Sequence, residues 1–471
     1  MSLNPHPEPS APPDSLPRVP TGNPQLDAIL GGGFPAHSIN ILMGEPGSGK
    51  TILAERLIFA NAHDSTRPIL YLTTLSEPLE KVVRYLQRFD FYDEEKLTSG
   101  AIIYESIAPE LNAKGIAALV PRIKEVIQTL SPSIIVIDSF KAIHDLSTSI
   151  PEMRRMLYEV AGLLTAYETT AFLVGEYNEE QISTFPEFAV ADSMVELARK
   201  KHGIRDERYL RVLKLRGSHY LEGLHAFRIT SSGLEVFPRL TSPNIPHSYT
   251  IKETRLPTGV VGLDRMLQGG VWAGSSTLLE GRTGAGKTTL ALQFILEGLK
   301  RGEPSLYVNF QENPTQLART IRGLGWEMED ALGKGLNLIY VSPVELQIDS
   351  ILLQLFQTLE EKNIKRVVVD AVGDLIGAAS DLPRLFSYLY ALGQHFTVKR
   401  VASVLTMETT SLGASPMEGQ ISAMSDTILS LQVERRENHF RRTLQVVKAR
   451  GTNHDLNLHE LRITSQGVEV D

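Results

Sequence analysis

Two eight-residue stretches constrain this chain more than anything else in it. Gly281-Arg282-Thr283-Gly284-Ala285-Gly286-Lys287-Thr288 sets two glycines with four residues between them, then Lys and Thr, and Gly44-Glu45-Pro46-Gly47-Ser48-Gly49-Lys50-Thr51 does the same. The later stretch sits between an apolar strand-like run, Ser276 to Glu280, and a helix-like run, Thr289 to Lys300. Phosphate oxygens need many donors at close range; glycines let backbone N–H groups approach, and the following helix offers its positive end. Lys287 and Lys50 then suit the β- and γ-phosphates of a nucleotide, and Thr288 and Thr51 suit a Mg2+ ion. The plainer reading, a Gly-rich turn followed by a chance Lys-Thr, does not account for the flanking strand and helix.

The whole unit is written twice. Thr21-Gly22, Leu26-Asp27 and Gly31-Gly32-Gly33 are answered by Thr258-Gly259, Leu263-Asp264 and Gln268-Gly269-Gly270, at an offset of 258 − 21 = 237 residues that the two lysines share. Lys214-Leu215-Arg216-Gly217 returns as Lys448-Ala449-Arg450-Gly451, and Phe227 to Thr230 returns as Leu461 to Thr464. A tandem duplication follows, with a Pro-containing linker at 241–249 and a boundary near residue 245. The expected domains are 21–245 and 246–471, after a disordered Pro-rich tail over 1–20.

In the first copy, apolar runs at 39–43, 69–72, 101–104, 134–138 and 171–175 alternate with amphipathic segments at 52–62, 79–89, 116–130 and 152–167. Such alternation predicts an α/β fold, a mostly parallel sheet flanked by helices with right-handed crossovers. A cluster without long helices, at 194–197, 209–213 and 225–229, predicts an antiparallel extension.

Composition narrows the class. The 471 residues include no cysteine, which excludes disulfides and thiol nucleophiles and suits a cytoplasmic location; the 12 histidines show no metal-ligand spacing. The first residues lack an apolar signal core, and no run is long enough to span a membrane. A formal charge of −8 argues against a protein built to coat nucleic acid.

A Mg-nucleotide site needs a carboxylate at the end of a buried strand. Asp138 (SIIVIDS) and Asp370 (RVVVDA) fill that position, where each could otherwise only cap the next helix. Hydrolysis also needs a group to orient the attacking water. Glu312, with Gln311 beside it, stands after the next strand of the second copy; the first copy has Leu75 and Ser76 there, with Glu77 one residue further on, where it could equally serve the helix dipole. The repeated Lys-x-Arg-Gly puts Lys214 with Arg216, and Lys448 with Arg450, on one face of a strand, as cations for a transferring phosphoryl group.

Together the paired phosphate loops, the TG…LD…GG openings, the strand-end aspartates and the repeated Lys-x-Arg-Gly resemble the two-domain KaiC family, within the wider RecA/DnaB group of ATPases. The likeness covers residues 21–471. It implies two RecA-like P-loop domains per chain, ATP and Mg2+ as cofactors, and a double-ringed homo-hexamer. ATP would lie at subunit interfaces, where the Lys-x-Arg pair of one subunit serves its neighbour's nucleotide, and regulatory proteins would be the partners. The family's second ring can autophosphorylate an adjacent Ser-Thr pair; here Ser422 occupies the Ser position and Ala423 replaces the Thr, so the two-site cycle is not expected. The family's clock members have a paired acid motif in both domains, which this chain retains only as Glu312, and a regulator-binding tail, whereas this sequence ends at Asp471.

Two other functions compete with a ring ATPase and autokinase acting in signalling or timing. A DNA-dependent recombinase or helicase would need a basic path with stacking aromatics; Arg199-Lys200-Lys201, Arg435-Arg436 and Arg441-Arg442 lack that interleaving and read as solvated faces. A scaffold cemented by nucleotide would assemble with ATP and barely hydrolyse it.

Overall fold

The computed structural model describes residues 17–63, 66–74, 79–202, 205–243, 253–342, 347–379, 381–409, 416–436, 439–465 and 467–471. The chain divides between Arg239 and Leu240 into two compact units. The expected linker boundary at 245 lies outside the described residues.

The first unit is built on strands β1 (Ile39–Gly44), β2 (Ile69–Thr73), β3 (Ile102–Ser106), β4 (Ile134–Asp138), β5 (Thr170–Gly175), β6 (Ser193–His202), β7 (Arg205–Leu215), β8 (His225–Thr230) and β9 (Gly233–Phe237). They form one nine-stranded sheet in the order β9-β8-β7-β6-β1-β5-β4-β2-β3. The second unit repeats it with β10 (Ser276–Gly281), β11 (Ser305–Asn309), β12 (Leu336–Tyr340), β13 (Arg366–Asp370), β14 (Ala402–Glu408), β15 (Thr427–Arg436), β16 (His439–Ala449), β17 (His459–Thr464) and β18 (Gly467–Val470). Its order is β12-β11-β13-β14-β10-β15-β16-β17-β18, which is the same arrangement, strand for strand. These are two tandem RecA-like domains, each a mostly parallel sheet with an antiparallel part, as the alternation of strands and helices predicts.

The central strands read as continuous apolar runs because both faces are covered. In the first unit Leu42, Val136, Phe172 and Val174 face one buried cluster, while Ile41, Met43, Ile135, Ile137 and Leu173 face another. At about 1.5–3 kcal/mol for each fully buried large apolar side chain, these two layers dominate the drive to fold. Leu53, Ala54, Leu57 and Ile58 bring helix Lys50–Asn61 onto the first cluster; Leu290, Ala291, Phe294 and Ile295 do the same for helix Lys287–Lys300.

Three details differ from expectation. Arg18–Val19 pair with Phe34–Pro35, so ordered structure begins inside the tail expected over 1–20. The segment expected as a helix over 116–130 starts as a 3-10 turn, Gly115–Ala118, before the α-helix Leu119–Leu130. The strand expected at 194–197 to open the antiparallel part is longer and lies parallel to β1; the sheet turns antiparallel only at its far edge, against β7.

Candidate phosphate-binding sites

Both phosphate loops leave the C-terminal end of the central strand of their sheet. Gly44 and Gly281 end β1 and β10 with φ of 146° and 155°; a Cβ there would lie 2.0 Å from the Leu197 carbonyl oxygen and 2.3 Å from that of Leu431. Only glycine lets the chain leave the sheet at this point. Glu45, Pro46 and Gly47, like Arg282, Thr283 and Gly284, are exposed, whereas Ser48 and Ala285 are buried beneath their loops. Gly49 and Gly286 then cap helices of 12 and 14 residues. The first turns of those helices leave backbone N–H groups facing the loop, the arrangement that favours an anion.

The lysines point inward. Lys50 Nζ donates to the carbonyls of Gly44 and Glu45 at 3.0 and 2.9 Å, and Lys287 Nζ to those of Gly281 and Arg282 at 2.8 and 3.1 Å. Burial lowers both ammonium pKa values; Glu176 and then Asp138 oppose this at Lys50, as do Glu408 and then Asp370 at Lys287.

The helix threonines meet the strand-end aspartates. Thr51 Oγ1 donates to Asp138 at 2.8 Å, and Thr288 Oγ1 to Asp370 at 3.0 Å. Tyr71 and Tyr307 donate to the same carboxylate oxygens at 2.8 and 2.6 Å, and Asp370 accepts a further bond from Thr406. Burial raises the pKa of Asp138, while the bonds from Tyr71 and Thr51 oppose that shift. A hydroxyl and a carboxylate held together are hard oxygen ligands of the kind Mg2+ takes. Thr289 follows Thr288 as a half-buried residue of the first helical turn.

Glu312 is half-buried and Gln311 exposed. The Asn309 carboxamide, at the end of β11, accepts from both backbone N–H groups at 3.2 and 3.0 Å, and Thr320 Oγ1 donates to the Glu312 carboxylate at 3.4 Å. Burial raises the Glu312 pKa, and Asp370 adds to it. Glu77 lies outside the described residues, as do Leu75 and Ser76.

The Lys-x-Arg pairs are elsewhere. Lys448 Nζ donates to the carbonyls of Ser422 and Ser425 at 3.1 and 2.7 Å, and Arg450 to that of Ala423 at 3.0 Å. Arg450 also approaches Asp426 at 3.5 Å, as Arg216 approaches Asp192 at 3.6 Å. Lys448 and Lys214 are both lowered, by burial first and then by the neighbouring arginine. Asp426 bonds to Ser276, the first residue of β10, and Asp192 to Ile39, the first of β1. The phosphate loops begin at the other ends of those strands, about 17 Å away at 3.3 Å per residue. Each unit therefore carries its loop at one end of the sheet and its cation pair at the other.

Several neighbours of the loops escape a reading by motif. Arg442, read with Arg441 as a solvated pair, donates to the Gly284 carbonyl at 3.0 Å. Tyr71 with Tyr307, and Glu176 with Glu408, recur between the copies like the motif residues; Glu176 and Glu408 are offset by 408 − 176 = 232, as Asp138 and Asp370 are. That shared offset is the signal that finds the two glutamates.

Two RecA-like domains, each with a phosphate loop facing a strand-end aspartate, define a tandem P-loop ATPase. The model of the KaiC ATPase family matches residues 19–241 and again 256–471, and the chain belongs to that family. It is 27% identical over 462 residues to the circadian clock oscillator protein KaiC of a Picosynechococcus species, covering 94% of this chain and 88% of the relative. It is 27% identical over 485 residues to circadian clock oscillator protein KaiC 1 of a Synechocystis species, covering 99% and 92%. Circadian clock protein KaiC3 of a Synechocystis species is 26% identical over 471 residues. Membership in an ATPase family carries ATP binding with it.

Proposed function

We propose that the chain is a Mg-ATP-hydrolysing ring ATPase whose sites are completed between copies, with a serine autokinase activity directed at Ser422 in the second domain. The observation that carries this reading is the separation just described: loop and cation pair lie at opposite ends of each sheet. A pair that cannot reach its own loop can serve the loop of an adjoining copy, and head-to-tail contacts of that kind generate rings when their rotation closes. A homo-hexamer with nucleotide at its interfaces fits the arrangement, as does a role as a cytoplasmic signalling or timing module read by regulatory proteins.

In this reading the loop N–H groups and Lys50 or Lys287 hold the phosphates. Thr51 with Asp138, and Thr288 with Asp370, would hold Mg2+, which when bound neutralises charge on the β- and γ-phosphate oxygens. Glu312 orients the attacking water of the second site and takes its proton. Lys448 and Arg450, like Lys214 and Arg216, stabilise the charge on the transferred group of a neighbour's nucleotide. The backbone carbonyls of Ser422 and Ala423 are bonded by the same two cations, so the Ser422 hydroxyl would stand near that neighbour's γ-phosphate.

The test combines gel filtration with and without Mg-ATP and phosphate release by the native chain and by Lys287→Ala. Assembly with ATP and loss of most turnover in the variant are expected; a monomer at millimolar ATP, or unchanged turnover, refutes the reading. Label from γ-labelled ATP should enter the native chain and not Ser422→Ala.

A further inference from the structure

The first domain lacks an acid in register with Glu312, yet the wall of its nucleotide cavity supplies one from another strand. The cavity, about 560 Å³, is lined by the phosphate loop, Thr51, Tyr71 and four acids: Glu55, Asp138, Asp145 and Glu176. Three of these are engaged. Asp138 accepts bonds from Thr51 and Tyr71, Asp145 pairs with Lys141, and Glu55 is buried against the Tyr104 hydroxyl. Glu176 is exposed, and among the described residues no hydrogen bond or ion pair engages its carboxylate.

Sheet register fixes where Glu176 stands. It is the first residue beyond β5, which lies between β1 and β4; Gly175 pairs with Met43, and Val174 with Asp138. Glu176 therefore projects past the strand ends between the start of the phosphate loop at Gly44 and the strand-end aspartate. It is also the largest influence opposing burial at Lys50. The second domain repeats the placement, since Glu408 pairs with Gly281 and accepts a hydrogen bond from Thr283 inside the phosphate loop.

We propose that Glu176 is the water-orienting acid of the first site, standing in for the acid in register with Glu312 that the first copy lacks after β2. This rests on the ATPase reading above and deepens it. The Glu176 carboxylate accepts a hydrogen bond from the attacking water. The water oxygen forms its bond to the γ-phosphorus as the bond to the β,γ-bridging oxygen breaks, ADP leaves with that electron pair, and the released proton passes to Glu176 and on to solvent. In the second domain Glu312 performs this step, leaving Glu408 as a positioning residue for the phosphate loop.

The experiment uses the full chain carrying Lys287→Ala, so that the first site supplies the turnover, with Mg-ATP and a fluorescent ATP analogue as probes. In that parent, Glu176→Gln is expected to lower kcat by about 100-fold or more. The KM for ATP and the affinity for the analogue stay within about threefold, and Glu176→Asp recovers at least about a tenth of the parent rate. A structural role would move binding and turnover together. Turnover of Glu176→Gln within about threefold of the parent overturns the assignment, as does a comparable loss in Glu77→Gln with Glu176→Gln unaffected. A parent that binds ATP at the first site without hydrolysing it also overturns the assignment, whereas a native chain that binds no nucleotide refutes the ATPase reading itself.

Discussion

The Tyr104 hydroxyl donates a hydrogen bond to the buried Glu55 carboxyl behind the first phosphate loop, one helical turn below Thr51. The second copy has Leu292 and Leu338 at the matching positions, so the polar pair belongs to the first domain only. Burial raises the Glu55 pKa from 4.5 to about 8, with the Tyr104 bond opposing and Asp138 adding to the shift. The folded state then holds a proton that the unfolded chain has released. Between about pH 5 and 8 the stability of the first domain should fall as pH rises, by up to about 1.4 kcal/mol per unit for one proton. Tm measured across that range should slope less in Glu55→Gln, which cannot titrate. An identical slope in the two proteins would show that Glu55 does not carry the effect.

For Glu312, replacement by Gln keeps the size and the bond from Thr320 but removes the base. Turnover of the second site, read in a Lys50→Ala chain, should fall about 10² to 10⁴-fold with little change in KM. The carboxylate works in its charged form, and burial with Asp370 nearby raises its pKa. The rise of kcat with pH should therefore be centred above the ordinary carboxylate range and vanish in Glu312→Gln. Equal losses in kcat/KM and in ATP binding would mean that Glu312 shapes the pocket instead.

Arg366 opens β13 with no solvent exposure. Its guanidinium donates to Glu303 at 2.6 Å and to the carbonyls of Pro257 and Phe294 at 2.7 and 3.0 Å, and lies over the Phe294 ring. Glu303→Ala strands that charge inside the second domain and should cost about 3–5 kcal/mol in denaturant unfolding. Adding Arg366→Met to Glu303→Ala should recover much of the loss, because the stranded charge is then gone. Failure to recover would place the cost in the shape of the site.

The tandem sheets were legible because two independent patterns agreed. Apolar runs such as Ile134 to Ile137 are buried on both faces, and a fixed offset ties Lys50 to Lys287. The loop lysines and threonines sit together because strand, loop and helix are consecutive in the chain, whereas Asp138 and Asp370, 87 and 82 residues beyond the threonines they meet, were found by their place at the ends of apolar strands. What spacing could not supply was anything made by pairing distant strands. Glu176 meets the phosphate loop only because β5 lies beside β1, and Arg442 reaches Gly284 across 158 residues. Likewise, the repeated Lys-x-Arg-Gly marks Arg450 as a cation for a phosphoryl group, but only the sheet shows it at the end of its domain opposite the phosphate loop.

That last point yields the sharpest test of assembly. If Lys448 and Arg450 serve an adjoining copy, Arg450→Ala and Lys287→Ala chains are each defective in the second site for different reasons. One keeps the loop and lacks the incoming cation; the other supplies the cation and lacks the loop. Mixed in equal amounts and reassembled with Mg-ATP, roughly a quarter of the interfaces should pair an intact loop with an intact arginine. With Lys50→Ala present in both chains to silence the first domain, phosphate release should rise well above the sum of the separate variants. The gain should peak near equal mixing, and it should disappear when both lesions are placed on the same chain and mixed with itself. If each domain completed its own site, no mixing ratio would restore any turnover, and the separation between Arg450 and Gly281 would have to close by movement within one chain.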